Sequence, residues 1–195
     1  MNDSNIKLSK TLTYILRHKA EKYKLNIDEA GFINIDEILN LQQIKNKNCT
    51  LHDIEQIVKN CPKQRFLIKT ENGITKIRAN QGHTIRKIQN EELLELITDP
   101  NLLHMCVHGT YHDYINDIMK QGLKCMGRNN IHFVTCDTNK VQSGMRSDVE
   151  YMIYIDVEKA MNDGIKFYKS SNGVILSNGK GGNILPNYFK KIVKK

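Results

Sequence analysis

Tryptophan is absent from this chain of 195 residues, proline occurs only three times, and no apolar run approaches the ~20 residues needed to span a bilayer. A membrane-spanning chain is therefore not expected. The opening Met1-Asn2-Asp3-Ser4-Asn5 has no basic stretch followed by an apolar one, so no secretory leader is expected either. The five cysteines (Cys49, Cys61, Cys106, Cys125 and Cys136) form an odd set without a close pair. That argues against a disulfide framework and against a zinc site. A reducing, cytosolic setting follows, or a nucleo-cytoplasmic one if the cell is eukaryotic.

The nucleotide motifs are missing too. No Gly-x-Gly-x-x-Gly opens a helix and no Gly-x-x-x-x-Gly-Lys-Ser/Thr occurs, which excludes a Rossmann or P-loop site. Gly179-Lys180-Gly181-Gly182 lacks the strand before and the helix after that such a loop requires. There is no Gly-x-Ser-x-Gly, no His-Glu-x-x-His, and no carboxylate pair at helical spacing beside an apolar wall. The usual hydrolase chemistries have no foothold.

What the chain does have is positive charge. A net charge of +8, with 39% hydrophobic and 26% charged residues, describes a globular protein that attracts polyanions. On charge alone, a nucleic-acid binder and a lysine-rich surface from a compositionally biased genome are equally good explanations.

The first half reads as helices followed by a hairpin. Residues 9–18 place Leu8, Leu12, Ile15 and Leu16 at helical spacing. Gly31 is a stop, 32–35 a short strand, and Asp36 caps a helix to about residue 41. Residues 50–59 open on Thr50, with Asp53 three residues on, and carry Ile54, Ile57 and Val58 on one face. Strands at 65–69 and 75–79 flank Glu71-Asn72-Gly73, a hairpin signal. Helices followed by a hairpin is the winged-helix order. Residues 91–100 are acidic, helical in pattern and closed by Asp99-Pro100, which places a lobe boundary there. Beyond it come strands at 102–107, 131–134, 149–157, 174–176 and 189–193, and a helix at 114–120 ended by Gly122. The whole reads as α+β, with lobes at 1–90 and 91–195.

The chemistry-bearing residues are arginine and histidine. Arg17-His18 ends the first helix, and Arg78-Ala79-Asn80-Gln81-Gly82-His83 ends the wing-like strand. His108-Gly109-Thr110 follows the first strand of the second lobe. Arg128-Asn129-Asn130-Ile131-His132 leads into the next strand, and Ser143-Gly144-Met145-Arg146 closes a helix. Arginine grips phosphate through parallel hydrogen bonds, and histidine donates to a phosphate oxygen or orients a hydroxyl. Taken singly, each is better explained as a surface ion pair, a cap or a satisfied core histidine.

Taken together, they resemble the RNA 2′-phosphotransferases. The runs Leu8-Ser9-Lys10 through Leu16-Arg17-His18, Gly31-Phe32-Ile33 and Ile77 through His83 are similar to that family's N-terminal lobe. His108-Gly109-Thr110, Gly122-Leu123, Met126-x-Arg128-x-x-Ile131-His132, Ser143 through Arg146 and Ser171-Asn172-Gly173-Val174 follow in family order. The segment 91–103 is longer than the family's link, and Ile175 stands where a large aromatic is usual. The 178–183 stretch is looser than the family's turn before its proline, here Pro186.

The resemblance implies a winged-helix lobe followed by a lobe of ADP-ribosyltransferase type that takes NAD⁺ as co-substrate. The RNA 2′-phosphate attacks the anomeric carbon of the nicotinamide ribose and expels nicotinamide. The adjacent 2″-hydroxyl then attacks the phosphate, giving 2′-hydroxyl RNA and ADP-ribose 1″,2″-cyclic phosphate. In this scheme Arg17 and Arg78 align the charged reactants, while His18, Arg146 and Arg78 serve the second step. His108 and Thr110 grip the nicotinamide ribose, with the Gly109 backbone near the carboxamide. Arg128 holds the NAD⁺ pyrophosphate or the substrate phosphate, and His132 and Val174 take the remaining cofactor-side positions. Lys10, Gln81 and His83 fall on the RNA side. A carboxylate at the Val174 position would repel an incoming phosphate, so an apolar residue suits a phosphate acceptor. The implied partner is RNA carrying a 2′-phosphate, as at a tRNA splice junction, with no metal, no membrane and a monomeric protein. Two alternatives stay open: an ADP-ribosyltransferase that caps nucleic-acid phosphates, and a non-catalytic winged-helix protein.

Overall fold

The helix that carries the apolar stripe beginning at Leu8 starts several residues before it. In the computed structural model, which describes residues 3–135 and 145–195, the first helix α1 spans Asp3–Tyr14 and is followed by a π-helical turn, Ile15–Lys19. Leu8, Leu12, Ile15 and Leu16 are all buried, as their spacing requires. Burying each contributes on the order of 1.5–3 kcal/mol. The widened turn was not legible in the sequence. Its cause lies elsewhere in the chain: Thr84 donates to the Arg17 carbonyl through its backbone N–H (3.0 Å), so that carbonyl serves a partner outside the helix.

The chain divides into two compact units, Met1–Leu93 and Leu94–Lys195. In the first unit α1 is followed by β1 (Ile33–Asn34), α2 (Ile35–Leu39), α3 (Gln42–Lys45), α4 (Leu51–Lys59), β2 (Phe66–Glu71), β3 (Ile74–Ala79) and α5 (Asn90–Leu93). The α2 cap is Asn34, whose side chain accepts from the Asp36 N–H at 2.9 Å; the sequence reading had placed the cap at Asp36. Helix α3, a single turn, was not anticipated. Thr50 and Asp53 form a reciprocal capping box on α4. Strands β2 and β3 pair antiparallel from Phe66↔Ala79 to Glu71↔Ile74. Asn72 (φ 50°) and Gly73 (φ 75°) both adopt the positive φ of a two-residue hairpin turn. Strand β1 pairs with the other edge of β3, giving the order β1-β3-β2.

The stretch 91–100 runs from the first unit into the second and is not one helix. It contains the α5 turn, the strand β4 (Glu95–Ile97) and the start of a 3₁₀ turn, Pro100–Leu102. Leu93, Leu94 and Ile97 are buried, and the segment from Glu95 to Ile97 pairs antiparallel with 167–169. The strand expected at 102–107 is β5, Val107–Thr110, so His108-Gly109-Thr110 lies within it and not after it. Then come α6 (His112–Gln121), β6 (Leu123–Lys124), β7 (Ile131–Phe133), β8 (Tyr151–Ile155), α7 (Val157–Asn162), β9 (Phe167–Lys169), β10 (Ile175–Ser177), β11 (Asn183–Ile184) and β12 (Phe189–Lys194). Two main sheets, ordered β4-β9-β10-β7 and β12-β8-β5, are joined by a Val107↔Val134 bridge. Phe133, Ile153, Phe167, Ile175 and Ile184 pack the core between them. The molecule is α+β, and no helix among the described residues is long and apolar enough to cross a membrane.

Candidate functional site

In the first unit, the segment 82–84 after β3 meets the π-turn. Gly82 has φ +90°, and a Cβ there would stand 3.2 Å from the Arg17 guanidinium carbon. The glycine thus supplies both a left-handed backbone and the space in which the guanidinium lies. Thr84 serves two partners: its hydroxyl donates to the Arg17 carbonyl at 3.3 Å and lies 3.1 Å from Nδ1 of His18. A carbonyl only accepts, so the hydroxyl proton goes to Arg17 and His18 donates from Nδ1. In neutral His18 the lone pair then sits on Nε2.

His83 lies between these groups. It is 2% exposed, and neither ring nitrogen has a hydrogen-bond partner among the described residues. Burial, with Arg17, Arg78 and His18 nearby, pushes its pKa down to about 3, so the ring is neutral at ordinary pH. Its Nε2 is 3.5 Å from where a Cβ on Gly31 would be. Arg78, on β3, donates from Nη1 to the Ala30 carbonyl (3.2 Å) and lies over the Phe32 ring at 4.7 Å. Burial lowers its pKa and nearby Asp28 opposes that shift. Arg17, His18, Arg78 and His83 therefore gather around the 30–32 turn and the 82–84 segment. Gln81 is buried.

Lys10 is not part of that cluster. It lines a surface pocket of about 380 Å³ on the outer face of α1, together with Tyr14, His18 and Arg65. Arg65 was missed in the sequence. Its Nη1 donates to the Cys61 thiol sulfur at 3.3 Å and its backbone N–H to the same atom at 3.5 Å. The one available signal was a lone arginine ahead of a strand, which is ordinary. Only the fold brings it to His18.

In the second unit, His108 Nδ1 donates to the His132 carbonyl at 2.9 Å, so β5 and β7 are tied at these two residues. Burial lowers the His108 pKa, and that bond partly opposes the shift. Thr110 and His132 are buried. A Cβ on Gly109 would lie 2.7 Å from Met145 Sδ and 2.9 Å from Val149 Cγ1, so Met145 packs directly on the strand backbone. Arg146 donates to the Tyr111 hydroxyl at 3.3 Å, and that hydroxyl donates to Asp148 at 3.0 Å. Tyr111 and Asp148 went unnoticed in the sequence because neither belongs to a motif. Val174 is buried, its N–H donating to Ser170 Oγ at 3.0 Å. Arg128 is exposed in the turn ahead of β7. Ser143 and Gly144 lie outside the described residues, as does the helix expected to end there. No three His, Cys, Asp or Glu side chains among the described residues could hold a metal ion.

The first unit thus holds a half-buried arginine–histidine cluster of the kind that can grip phosphate, and the second a strand pair tied through His108. Comparison with known proteins narrows this reading. Residues 3–179 match the family described as RNA 2′-phosphotransferase, Tpt1 / KptA family. The tRNA 2′-phosphotransferase 1 of Danio rerio is 39% identical over 193 residues, covering 96% of this chain and 84% of that protein. The tRNA 2′-phosphotransferase of Saccharomyces cerevisiae is 38% identical, covering 98% and 84%. A probable RNA 2′-phosphotransferase of Flavobacterium johnsoniae is 34% identical, covering 97% and 98%. The chain belongs to the RNA 2′-phosphotransferase family.

Proposed function

We propose that the protein removes an internal 2′-phosphate from RNA, as at a tRNA splice junction, in a two-step transfer that consumes NAD⁺. The first unit, in the helix-then-hairpin order of a winged helix, holds the phosphorylated RNA. The second, of ADP-ribosyltransferase type, holds the dinucleotide. Family membership supports the 2′-phosphate substrate. The observation that carries the chemistry is the grouping of Arg17, His18, Arg78 and neutral His83, with Arg65 on the His18 side.

The donor set of the second unit suits NAD⁺. With Nδ1 of His108 committed to the His132 carbonyl, the lone pair of the neutral ring is on Nε2 and accepts from a ribose hydroxyl. Buried Thr110 supplies a hydroxyl beside it, and exposed Arg128 suits a pyrophosphate. NAD⁺ brings an anomeric carbon with a cationic leaving group.

The first step joins two reactants that attract one another, so positioning by Arg17 and Arg78 is the main requirement. The second asks a neutral hydroxyl to attack an anionic phosphodiester. It needs fixed positive charge, from Arg146, Arg78 and Arg65, and a proton acceptor, Nε2 of His18.

The test is a two-product assay on a short 2′-phosphorylated RNA. Nicotinamide release must require the 2′-phosphate, ADP-ribose 1″,2″-cyclic phosphate must appear in equal amount, and EDTA must leave turnover intact. Nicotinamide release with a stable ADP-ribosylated RNA and no cyclic phosphate would instead mark a capping transferase. RNA binding with no nicotinamide release would mark a non-catalytic binder.

A further inference from the structure

The pocket on the outer face of α1 is longer than a phosphate needs. Its walls come from positions 6, 9, 10, 13, 14 and 18 on successive turns, joined by Arg65 from the loop before β2. At about 1.5 Å per residue, positions 6 to 18 span roughly 18 Å. The lining includes the cations Lys10 and Arg65, the imidazole of His18 and no carboxylate. Between Lys10 and the His18–Arg65 end of the pocket stands Tyr14, 48% exposed, with its ring centroid 6.1 Å from that of His18. Lys19 places its ammonium 5.5 Å from the Tyr14 centroid, adding positive charge.

A half-exposed tyrosine alone needs no explanation. Here, however, the buried stripe of α1 (Leu8, Leu12, Ile15, Leu16) already supplies the helix's share of the core, so Tyr14 is not needed for packing. It lies instead inside a concave, acid-free pocket, one helical turn from His18 and one from Lys10. A cation–aromatic–cation order along one groove matches the repeat of a single-stranded nucleic acid, phosphate then base then phosphate.

We propose that Tyr14 is a nucleobase subsite: the base of the nucleotide that bears the 2′-phosphate lies against the Tyr14 ring. Its 2′-phosphate is then held by Arg65 beside His18, and Lys10 takes a neighbouring backbone phosphate. This rests on the reading that the protein binds 2′-phosphorylated RNA. Every base offers a π-face, so the subsite grips any of the four bases without reading sequence. It also selects single-stranded or splayed RNA, because a base stacked in a duplex does not offer its face.

The experiment measures binding without NAD⁺, at one fixed salt concentration, so that catalysis does not enter. The probe is a short single-stranded RNA with one internal 2′-phosphate and 2-aminopurine on the same nucleotide. Two companion RNAs carry an abasic residue at that nucleotide, or lack the 2′-phosphate. Base–aromatic stacking converts to about 5- to 150-fold in affinity, so Tyr14→Ala should weaken the base-bearing RNA by that factor. Tyr14→Phe should stay within about twofold of the parent, and the abasic RNA should bind Tyr14→Ala and parent alike. The 2-aminopurine signal should be quenched on binding to the parent and recover with Tyr14→Ala. Alanine is a better helix former than tyrosine, so the exposed site tolerates the change. Equal loss for base-bearing and abasic RNA would overturn the proposal, as would no loss for either. If RNA without the 2′-phosphate binds as tightly as RNA with it, the phosphotransferase reading fails, while the base-against-abasic comparison still decides the role of Tyr14.

Discussion

The Thr84 hydroxyl lies 3.1 Å from Nδ1 of His18 while donating to the Arg17 carbonyl at 3.3 Å, so a single threonine sets both the tautomer and the orientation of the histidine beside it. If His18 accepts the proton of the attacking hydroxyl at Nε2, Thr84 is its positioning residue. Thr84→Val keeps the shape and removes the hydroxyl. One such hydrogen bond is worth about 1 kcal/mol, so the second step should slow by about fivefold. Thr84→Ser should restore it. Single-turnover rates for the two steps measure this, and a Val variant as fast as the parent in step two would contradict it.

Gly82 makes room for Arg17. Alanine there meets a φ of +90° and a guanidinium carbon 3.2 Å away. The left-handed backbone alone disfavours alanine by about 1–2 kcal/mol. Gly82→Ala should therefore lower the urea midpoint and raise the KM for RNA, because the displaced group is the one proposed to align the phosphate. The KM for NAD⁺ should stay near that of the parent. Equal rises in both constants would show general damage instead.

His83 gives the fold a pH dependence. Its folded pKa of about 3 lies below the value near 6.5 of an unfolded histidine. Between those values the unfolded chain binds a proton that the folded one refuses, so stability is full above about pH 6.5 and is lost as pH falls toward 3. The loss is up to about 1.4 kcal/mol per pH unit. Urea unfolding at pH 7 and pH 5 should show the drop, and His83→Gln should flatten it. A parent whose stability is unchanged between the two pH values would refute the assignment.

Gly109 is the corresponding contact in the second unit. A Cβ there would lie 2.7 Å from Met145 Sδ, so Gly109→Ala must displace the segment that carries Arg146. Activity should fall while RNA binding in the absence of NAD⁺ persists. Gly109→Ala combined with Met145→Ala, which removes the obstruction, should recover part of the rate.

The sequence was most legible where local rules govern. The Thr50–Asp53 capping box, the Asn72-Gly73 turn and the Leu8–Leu16 stripe each follow from residues a few positions apart. It was least legible where distant parts of the chain meet. The π-turn depends on Thr84 reaching Arg17, 67 positions away, and Arg65 reaches the His18 pocket only because β2 packs beside α4. The acidic 91–100 stretch misled because its helical pattern covers one real turn, after which β4 pairs with β9, a partner about 70 residues on. The motif residues themselves were readable. Their supports, Thr84, Cys61 and Tyr111, were not, because a hydroxyl or thiol carries no signal until its partner is in place.

The two chemical steps should separate by mutation. In the proposed scheme step one brings an anionic phosphate to a centre with a cationic leaving group, so the reactants supply much of the attraction. Step two needs preorganised charge and a proton acceptor, and removing one such group costs on the order of 10²–10³ in rate. His18→Ala and Arg146→Ala should therefore accumulate the ADP-ribosylated 2′-phosphate RNA, the intermediate of the proposed scheme. Tyr111→Phe, which removes the hydroxyl that accepts from Arg146 at 3.3 Å, should show a weaker form of the same build-up. Arg128→Ala, if that exposed residue holds the pyrophosphate, should raise the NAD⁺ requirement without any build-up. Gel-resolved RNA from single-turnover reactions with a labelled 2′-phosphate distinguishes these patterns. Should His18→Ala slow nicotinamide release as much as product formation, with no intermediate on the gel, His18 belongs to the first step and the Nε2 proton-acceptor role is wrong.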